Sequence, residues 1–441
     1  MTNHRIVLIG AGSTSFGPSM LADIFLSNIL QGSTILLHDI DKKKLEIIYE
    51  LTVNESEKLG KNFTIERTTN RQKALENANF VINSIEVGDR MELWRQDYEI
   101  PRKHGSMQIL GECGGPGGTF HAFRIIPPII EIVKDVERIC PNAFLINFSN
   151  PMSRVCLAIK RSTKNLKFIG LCHQIGYLNK FLPKIFNRKL EDFKITAFGL
   201  NHFGFLIGLE DFKTGKTLMP EFNNIALKYL NKVKDRFEYS ELTFEVFKRF
   251  GYFSYACDNH LGEYLQFGEE FTETQDMIDW INRTDQEGKA IYDRIMRFHR
   301  RFKKGTFKGL RLLPKHSTGE RAIPIIEAII TGKKSYESSV NIPNDGFVDN
   351  LPQDLIIEGS VWVDGDGVHG IKIGNLPKGI AALLRIEASV QDLCIEAVIK
   401  RSREIALQCL TVDPNVGNAE MAEAIFNEMV ELQKDYLPKF K

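Results

Sequence analysis

Nowhere in these 441 residues does an apolar run approach the roughly 20 residues that a membrane-spanning helix requires, so no membrane partner is expected. Excess charge of either sign is equally scarce: 57 Lys and Arg oppose 56 Asp and Glu, for a net charge of +1. Without a broad field of one sign, nothing recruits nucleic acid or an anionic lipid surface. Cysteine is sparse too, with Cys113, Cys140, Cys156, Cys172, Cys257, Cys394 and Cys409 scattered along the chain. An odd, scattered set does not make a disulfide framework. The opening MTNHRIVLIGAG enters a strand pattern at once and shows no leader pattern. Both features lead us to expect reduced thiols and a cytoplasmic protein. No internal repeat and no low-complexity segment is visible. What is present is 43% hydrophobic and 26% charged, with length for a large core in two or three domains.

The first 175 residues alternate short apolar runs with helical patterns. Strands are expected at 5–10, 34–40, 63–67, 79–85, 143–148 and 167–171, with helices over 18–30, 42–59 and 124–138. Continuous apolar strands alternating with helices indicate a parallel sheet covered on both faces. Beyond 176 the regularity fades. ITAFGLNHFGFLIGL (195–209) reads as sheet, 219–302 as mostly helix, 340–353 as part of a loop-rich stretch and 376–414 as long buried helices. The expected fold is α/β: an N-terminal Rossmann-like doubly wound parallel sheet over 1–190 joined to a C-terminal α+β domain over 191–441, a lactate/malate dehydrogenase-like plan. The second domain would carry substrate and oligomer contacts, and its long helices suggest a homodimer or homotetramer.

In VLIGAGSTSFGPS, Gly10 and Gly12 directly follow the first strand. Glycine lets a backbone turn tightly and approach a pyrophosphate, which a helix N-terminus attracts. The third glycine of the dinucleotide fingerprint is Ser15 here, and Gly17 comes two residues later. Ser13 and Thr14 complete the turn, and Asp39 ends the second strand, where a carboxylate can bind an adenosine ribose and favour NAD over NADP. In LCHQIG (171–176), a thiol and an imidazole stand side by side at the end of an apolar strand. Adjacent strand residues point to opposite faces, so Cys172 and His173 serve one site only if the chain has already left the strand. A second histidine, His202, follows in GLNHFGF. A thiolate and an imidazole suit a divalent transition metal, but two ligands are too few for a structural zinc site. An open site completed by substrate stands beside the blander alternative of a core thiol and a hydrogen-bonded core histidine.

A wider set of motifs occurs in order: GAGST (10–14), HDID (38–41), GECGGPGG (111–118), FRIIP (123–127), NFSNPM (147–152), LCHQIG (171–176), GLNHFGF (199–205), FGYF and DNHLGEY (250–264), NDGFVDNLP (344–352) and the helices of 376–397. On these the chain resembles glycoside hydrolase family 4, the NAD- and metal-dependent glycosidases. The likeness spans almost the whole chain and looks nearest to the α-galactosidase and α-uronidase branches, because His173 stands where phosphoglycosidase branches usually carry Asp or Asn. Gln174, Cys113 and Phe123 depart from the usual residues at their positions.

What the resemblance implies is a reaction outside the two-carboxylate scheme of most glycosidases. NAD takes hydride from C3 of the sugar, a base removes the acidified C2 proton, the glycosidic oxygen leaves by elimination, water adds, and the hydride returns. A metal such as Mn²⁺ chelates O2 and O3 as a Lewis acid. Cys172 and His202 match the metal ligands, and Asn150 matches a substrate-contacting residue beside the nicotinamide. Asp258 matches the region of the C2 base, with His260, Glu263 and Tyr264 as alternatives. Glu112 would assist the leaving group or hold a sugar hydroxyl, and His173 would set specificity. Arg90, Arg95 or His121 would supply a cation to a uronate. The expected substrate is a small non-phosphorylated α-glycoside, foremost an α-galactoside, with an α-glucuronide or α-galacturonide as the alternative. An NAD-dependent 2-hydroxy acid dehydrogenase-like oxidoreductase would share the domain plan, but it would need an Asp–His relay and clamping arginines that are not found at that family's spacing. A non-catalytic NAD-responsive binding protein would not need the metal pair.

Overall fold

The apolar runs of the first 170 residues become six parallel strands: β1 (Arg5–Ile9), β2 (Thr34–His38), β3 (Thr64–Thr68), β4 (Phe80–Asn83), β5 (Phe144–Asn147) and β6 (Lys167–Gly170). The computed structural model describes residues 3–13, 16–232, 241–272, 275–304, 313 and 316–441. The strands lie in the order β3-β2-β1-β4-β5-β6, that of a doubly wound dinucleotide-binding sheet. The hydrophobicity of β1, β2, β4 and β5 follows from burial of both faces, whereas the edge strand β3 (TIERT) is polar and partly exposed. Ile6, Leu8, Ile35, Leu37, Ile82 and Ile146 pack into one core, while Val7, Ile9, Leu36, Val81 and Leu145 pack into a second core. Alternate residues therefore feed opposite layers, as a period of two requires.

Five later strands continue this same sheet: β7 (Phe193–Leu200), β8 (Phe203–Asp211), β9 (Ser335–Pro343), β10 (Ile356–Asp364) and β11 (Gly367–Gly370). Gly170 of β6 pairs with Asn341 of β9, and the order runs on as β9-β10-β7-β8, with β11 on β10. The sequence suggests two units; in the structure one mixed sheet passes through both. The stretch expected to be loop-rich begins inside β9 and is followed by β10. Both strands escape a hydrophobicity reading because buried positions are polar: Glu337, Ser339, Asn341, Glu358 and Ser360 are all buried. Ser339 donates to Glu358, Ser360 to the Ser338 carbonyl and Arg321 to Glu337, which makes such strands tolerable without apolar side chains there.

The segment 195–209 is not one strand but a hairpin. β7 and β8 are antiparallel, and only Asn201 and His202 lie between Leu200 and Phe203. His202 has φ of +62°, a left-handed conformation uncommon outside glycine that reverses the chain at the hairpin. Gly204 follows because there is no room for a side chain: a Cβ there would lie 2.0 Å from the Tyr255 hydroxyl. Behind the sheet, the 25-residue helix Gly115–Ile139 and the 23-residue helix Lys378–Lys400 are buried along most of one side.

Candidate active site

All carboxyl ends of a parallel sheet share one edge, so the residues that follow β1, β2, β4, β5 and β6 collect there. At β1, the amides of Gly10 and Ala11 both donate to the His38 carbonyl at 3.0 Å, turning the chain sharply. Gly10 has φ of +85°, and a Cβ on it would meet the Ser84 carbonyl at 2.8 Å. Asp39 accepts from the Gly12 amide at 2.7 Å and from the Asp41 amide at 2.8 Å, so it braces the turn. Ser13 Oγ accepts from the Phe16 amide at 3.3 Å, at the start of the helix Phe16–Leu26. Thr14 lies outside the described residues. The close approach expected of a third glycine falls to Gly17, where a Cβ would be 2.8 Å from the Ala11 carbonyl. A tight turn opened by Gly10 and Gly12 ahead of a helix, with a carboxylate at the second strand end, is a cradle that fits a dinucleotide.

After β5, Asn150 presents a buried Oδ1 with no hydrogen-bond partner. After β6 the chain leaves the strand, and Cys172 and His173 separate. The Cys172 thiol lies 3.3 Å from His202 Nε2, although 30 residues part them in sequence. His173 instead stands at the solvent edge with its side chain 77% exposed and Nδ1 4.0 Å from Glu320. Burial, reinforced by the charge of Glu358, pushes the Cys172 thiol up to about 12. Burial and the neighbouring His260 and His173 hold His202 well below the usual imidazole range, so it is neutral. His202 Nδ1 is buried without a hydrogen-bond partner. A soft sulfur and a neutral imidazole at this separation fit a divalent transition metal, which would take the thiol as thiolate.

A third element closes the site. Glycines of GECGGPGG let the loop before the helix Gly115–Ile139 pack against the short helical turn Gly262–Tyr264, and a Cβ on Gly114 would lie 2.7 Å from Glu263. The Glu263 carboxylate accepts from the amides of Glu112 at 2.6 Å and Cys113 at 3.0 Å, and its other oxygen lies 3.3 Å from His260 Nδ1. The His260 ring sits 4.0 Å, centroid to centroid, from that of His202. Donor atoms of Glu112, Cys113 and His202 all fall within 4.8 Å of one another, as do those of His202, His260 and Glu263. Glu112 is bonded to Arg90 at 2.6 Å. Burial opposes its ionisation, but the charges of Arg90, His260 and His121 outweigh that and hold it below the ordinary carboxylate range. Glu86 is likewise held at about 2 against the cost of burial, by His121 at 3.3 Å and by Arg90.

The sequence-derived candidates therefore divide. Cys172, His202, Asn150 and Glu112 lie along one edge or in one cluster, and His260 joins them. Asp258, two residues before His260, is engaged elsewhere as well: its two oxygens accept from the Leu242 amide at 3.0 Å and from the Thr243 amide and hydroxyl at 3.1 and 2.5 Å, at the start of the helix Glu241–Phe250. Tyr264 is stacked on Phe203 at 5.1 Å in the core. Arg95 pairs with Asp285 at 2.5 Å. Arg90 and His121 are present but matched by Glu112 and Glu86. Two acids went unremarked in the sequence. Glu86 follows the β4 carboxyl end, so the strand-end rule alone would flag it. Glu358 lies inside β10 among Ile357, Gly359 and Ser360, where no motif marks it.

Comparisons with known proteins cover almost the whole chain. The model described as Family 4 glycosyl hydrolase matches residues 5–188, and that of the Family 4 glycosyl hydrolase C-terminal domain matches 197–416. An alpha-glucosidase of Erwinia rhapontici is 34% identical over 99% of both chains. An alpha-galactosidase of Bacillus subtilis (strain 168) is 29% identical over 99% of this chain and 100% of its own. Among solved structures, a 6-phospho-alpha-glucosidase from gut microorganisms in complex with NAD and Mn²⁺ superposes with a TM-score of 0.86 over 100% of both chains, at 24% identity.

Proposed function

The chain belongs to glycosyl hydrolase family 4, and on that premise we propose that it hydrolyses neutral α-hexosides, α-glucosides or α-galactosides, in the crevice at the sheet's carboxyl edge. The observation that carries this reading is the 3.3 Å approach of Cys172 Sγ to His202 Nε2 at that edge. Bound there, NAD in the Gly10–Ser13 turn would supply transient oxidation at the sugar's C3, and a metal such as Mn²⁺ on Cys172 and His202 would supply Lewis-acid polarisation of the neighbouring oxygens. The chain's own residues do the rest. Asn150 offers its unpartnered Oδ1 to a sugar hydroxyl. Glu112, kept ionised by Arg90, accepts a second one. Glu263 orients His260 through Nδ1 and, against the effect of burial and together with Glu112, raises its proton affinity. It is therefore the neutral imidazole, above that raised pKa, whose Nε2 takes the C2 proton in place of Asp258, whose oxygens accept from the helix N-terminus. His173, at the rim, contacts the leaving group.

The same geometry favours a neutral sugar over a uronide. Each cation that would hold a C6 carboxylate already faces an acid: Arg90 faces Glu112 and Glu86, His121 faces Glu86, and Arg95 faces Asp285. A second anion would meet Glu86 and Glu112 rather than free positive charge. The seven cysteines are all free thiols, which supports a reducing, cytoplasmic setting. We extend the reading to a homodimer or homotetramer, which light scattering measures directly.

The test is hydrolysis of p-nitrophenyl α-glucoside, α-galactoside, α-glucuronide and α-galacturonide with and without NAD, Mn²⁺ and reductant. We expect the neutral substrates to be cleaved only with all three additions, with deuterium at C2 of the product in D₂O. Cleavage that survives EDTA and removal of NAD refutes the mechanism, and cleavage of the uronides alone refutes the substrate class.

A further inference from the structure

The Cys172–His202 pair rests on a carboxylate that no step of the reaction requires. Glu358 of β10 is fully buried, at 0% exposure. The Ser339 hydroxyl of β9 donates to its Oε1, and Asn201 Nδ2 donates to its Oε2 at 3.2 Å. The His202 backbone amide and the Tyr255 hydroxyl face the same group. A carboxylate is tolerated at this depth only when its acceptor sites are filled, and here Asn201 and His202 of the hairpin turn are among the donors.

That turn needs support from outside itself. His202 holds a left-handed φ of +62°, a conformation that persists in a non-glycine residue when its surroundings over-determine it. Three neighbours do so. Glu358 holds Asn201 from below, Ser153 Oγ accepts from the Asn201 amide at 3.2 Å, and Tyr255 fills the space beside Gly204 so that the β7–β8 hairpin cannot shift. The His202 ring touches Cys172 at Nε2 and the His260 ring on its face but has no bonded partner on Nδ1, so no hydrogen bond on that second nitrogen fixes its direction and the turn carries that part of the task. An imidazole ligand is commonly oriented by a partner on its second nitrogen; here that task passes to the backbone and to the acid beneath it.

We propose that Glu358 is a positioning residue: by holding the Asn201–His202 turn it aims His202 Nε2 at the cation shared with Cys172. The inference rests on reading Cys172 and His202 as a metal pair, and the experiment separates the two. The full-length protein is titrated with Co²⁺ under anaerobic conditions, and the thiolate-to-Co²⁺ charge-transfer absorption gives the affinity. Cys172→Ser should lack the band, as the metal pair requires. Glu358→Ala and Asn201→Ala should keep the band but bind Co²⁺ roughly 10- to 100-fold more weakly, the usual effect of removing a group that orients a ligand. Glu358→Gln should recover most of the affinity, because its amide oxygen can still accept from Asn201 while the Ser339 hydroxyl turns to accept from the amide. The control is Glu337→Ala, which removes an equally buried carboxylate of β9 bonded to Arg321 at 2.7 Å; it should lower thermal stability and leave Co²⁺ affinity unchanged. NAD binding, read by fluorescence, should be the same in all variants. If Glu358→Ala does not fold, Asn201→Ala carries the comparison. A band lost in Cys172→Ser but unweakened in both Glu358→Ala and Asn201→Ala overturns the role of Glu358 and leaves the metal pair standing. No band in the wild type overturns the metal pair and this inference with it.

Discussion

Replacing Glu263 should loosen the site from within while leaving every candidate ligand in place. Its side chain has 0% exposure and serves three partners: the amides of Glu112 and Cys113, at 2.6 and 3.0 Å, and His260 Nδ1 at 3.3 Å. Glu263→Ala strands two buried N–H groups, each at a cost of about 1–3 kcal/mol, so the loss is about 2–6 kcal/mol before any cavity is counted. Glu263→Gln keeps one oxygen for the amides but exchanges charge-assisted hydrogen bonds for neutral ones roughly half as strong, a loss of about 1–2 kcal/mol. It also places an amide donor against His260 Nδ1 and so forces the other tautomer. Urea unfolding followed by tryptophan fluorescence suits the measurement, because the Trp94 indole donates to the Leu110 carbonyl at 3.1 Å in the same loop. The expected order of midpoints is wild type, then Gln, then Ala, with turnover falling further than stability in the Gln variant. Should the alanine variant unfold at the wild-type urea concentration, the carboxylate does not brace the loop. Should the glutamine variant keep full turnover, His260 does not depend on it.

Asp258→Asn should retain most turnover and Asp258→Ala should cost about 1–2 kcal/mol of stability as a lost helix cap, whereas His260→Gln should abolish C2 deuterium exchange; the reverse pattern restores Asp258 as the base. Glu387 is raised to about 7, chiefly by burial. A carboxyl raised in the folded state lends stability that is complete below its unfolded value and is lost as pH climbs towards 7. Stability should therefore fall by about 3 kcal/mol between about pH 4.5 and 7, seen as a falling melting temperature, and Glu387→Gln should flatten that slope. Gly12→Ala would put a Cβ 2.6 Å from Asp39 Oδ2, so NAD affinity should drop with little change in Co²⁺ affinity; equal losses of both would mean that the turn and the metal pair are not separate sites. Arg90→Met should raise the KM for neutral glycosides, since Glu112 loses its 2.6 Å partner, and an unchanged KM would remove that ion pair from the substrate site.

The parts of this protein legible in its sequence are those whose physics is local. β1, β2, β4 and β5 were readable because a strand buried on both faces must be apolar throughout, and the glycine turn because Gly10, Gly12 and Asp39 follow strand ends at fixed spacing. β9 and β10 were obscured by Ser339, Asn341 and Glu358, whose burial is made tolerable by partners far away in sequence. Asp258 shows what spacing leaves out. Its motif and charge suit a base, and no spacing rule announces that the N-terminal amides of the helix Glu241–Phe250 also donate to both of its oxygens.

By itself the sequence determined the sheet's parallel half, the dinucleotide cradle, and the residue types able to grip a cation. Only the tertiary structure decided which of those residues meet. Cys172 and His202 come within 3.3 Å because β7 and β8 join the sheet and fold back as a two-residue hairpin, and Glu263 and Glu358 matter because that fold buries them against the site. The reason is dielectric as much as geometric: an acid or a thiol acquires its proton affinity and its partners only once water has been excluded from around it.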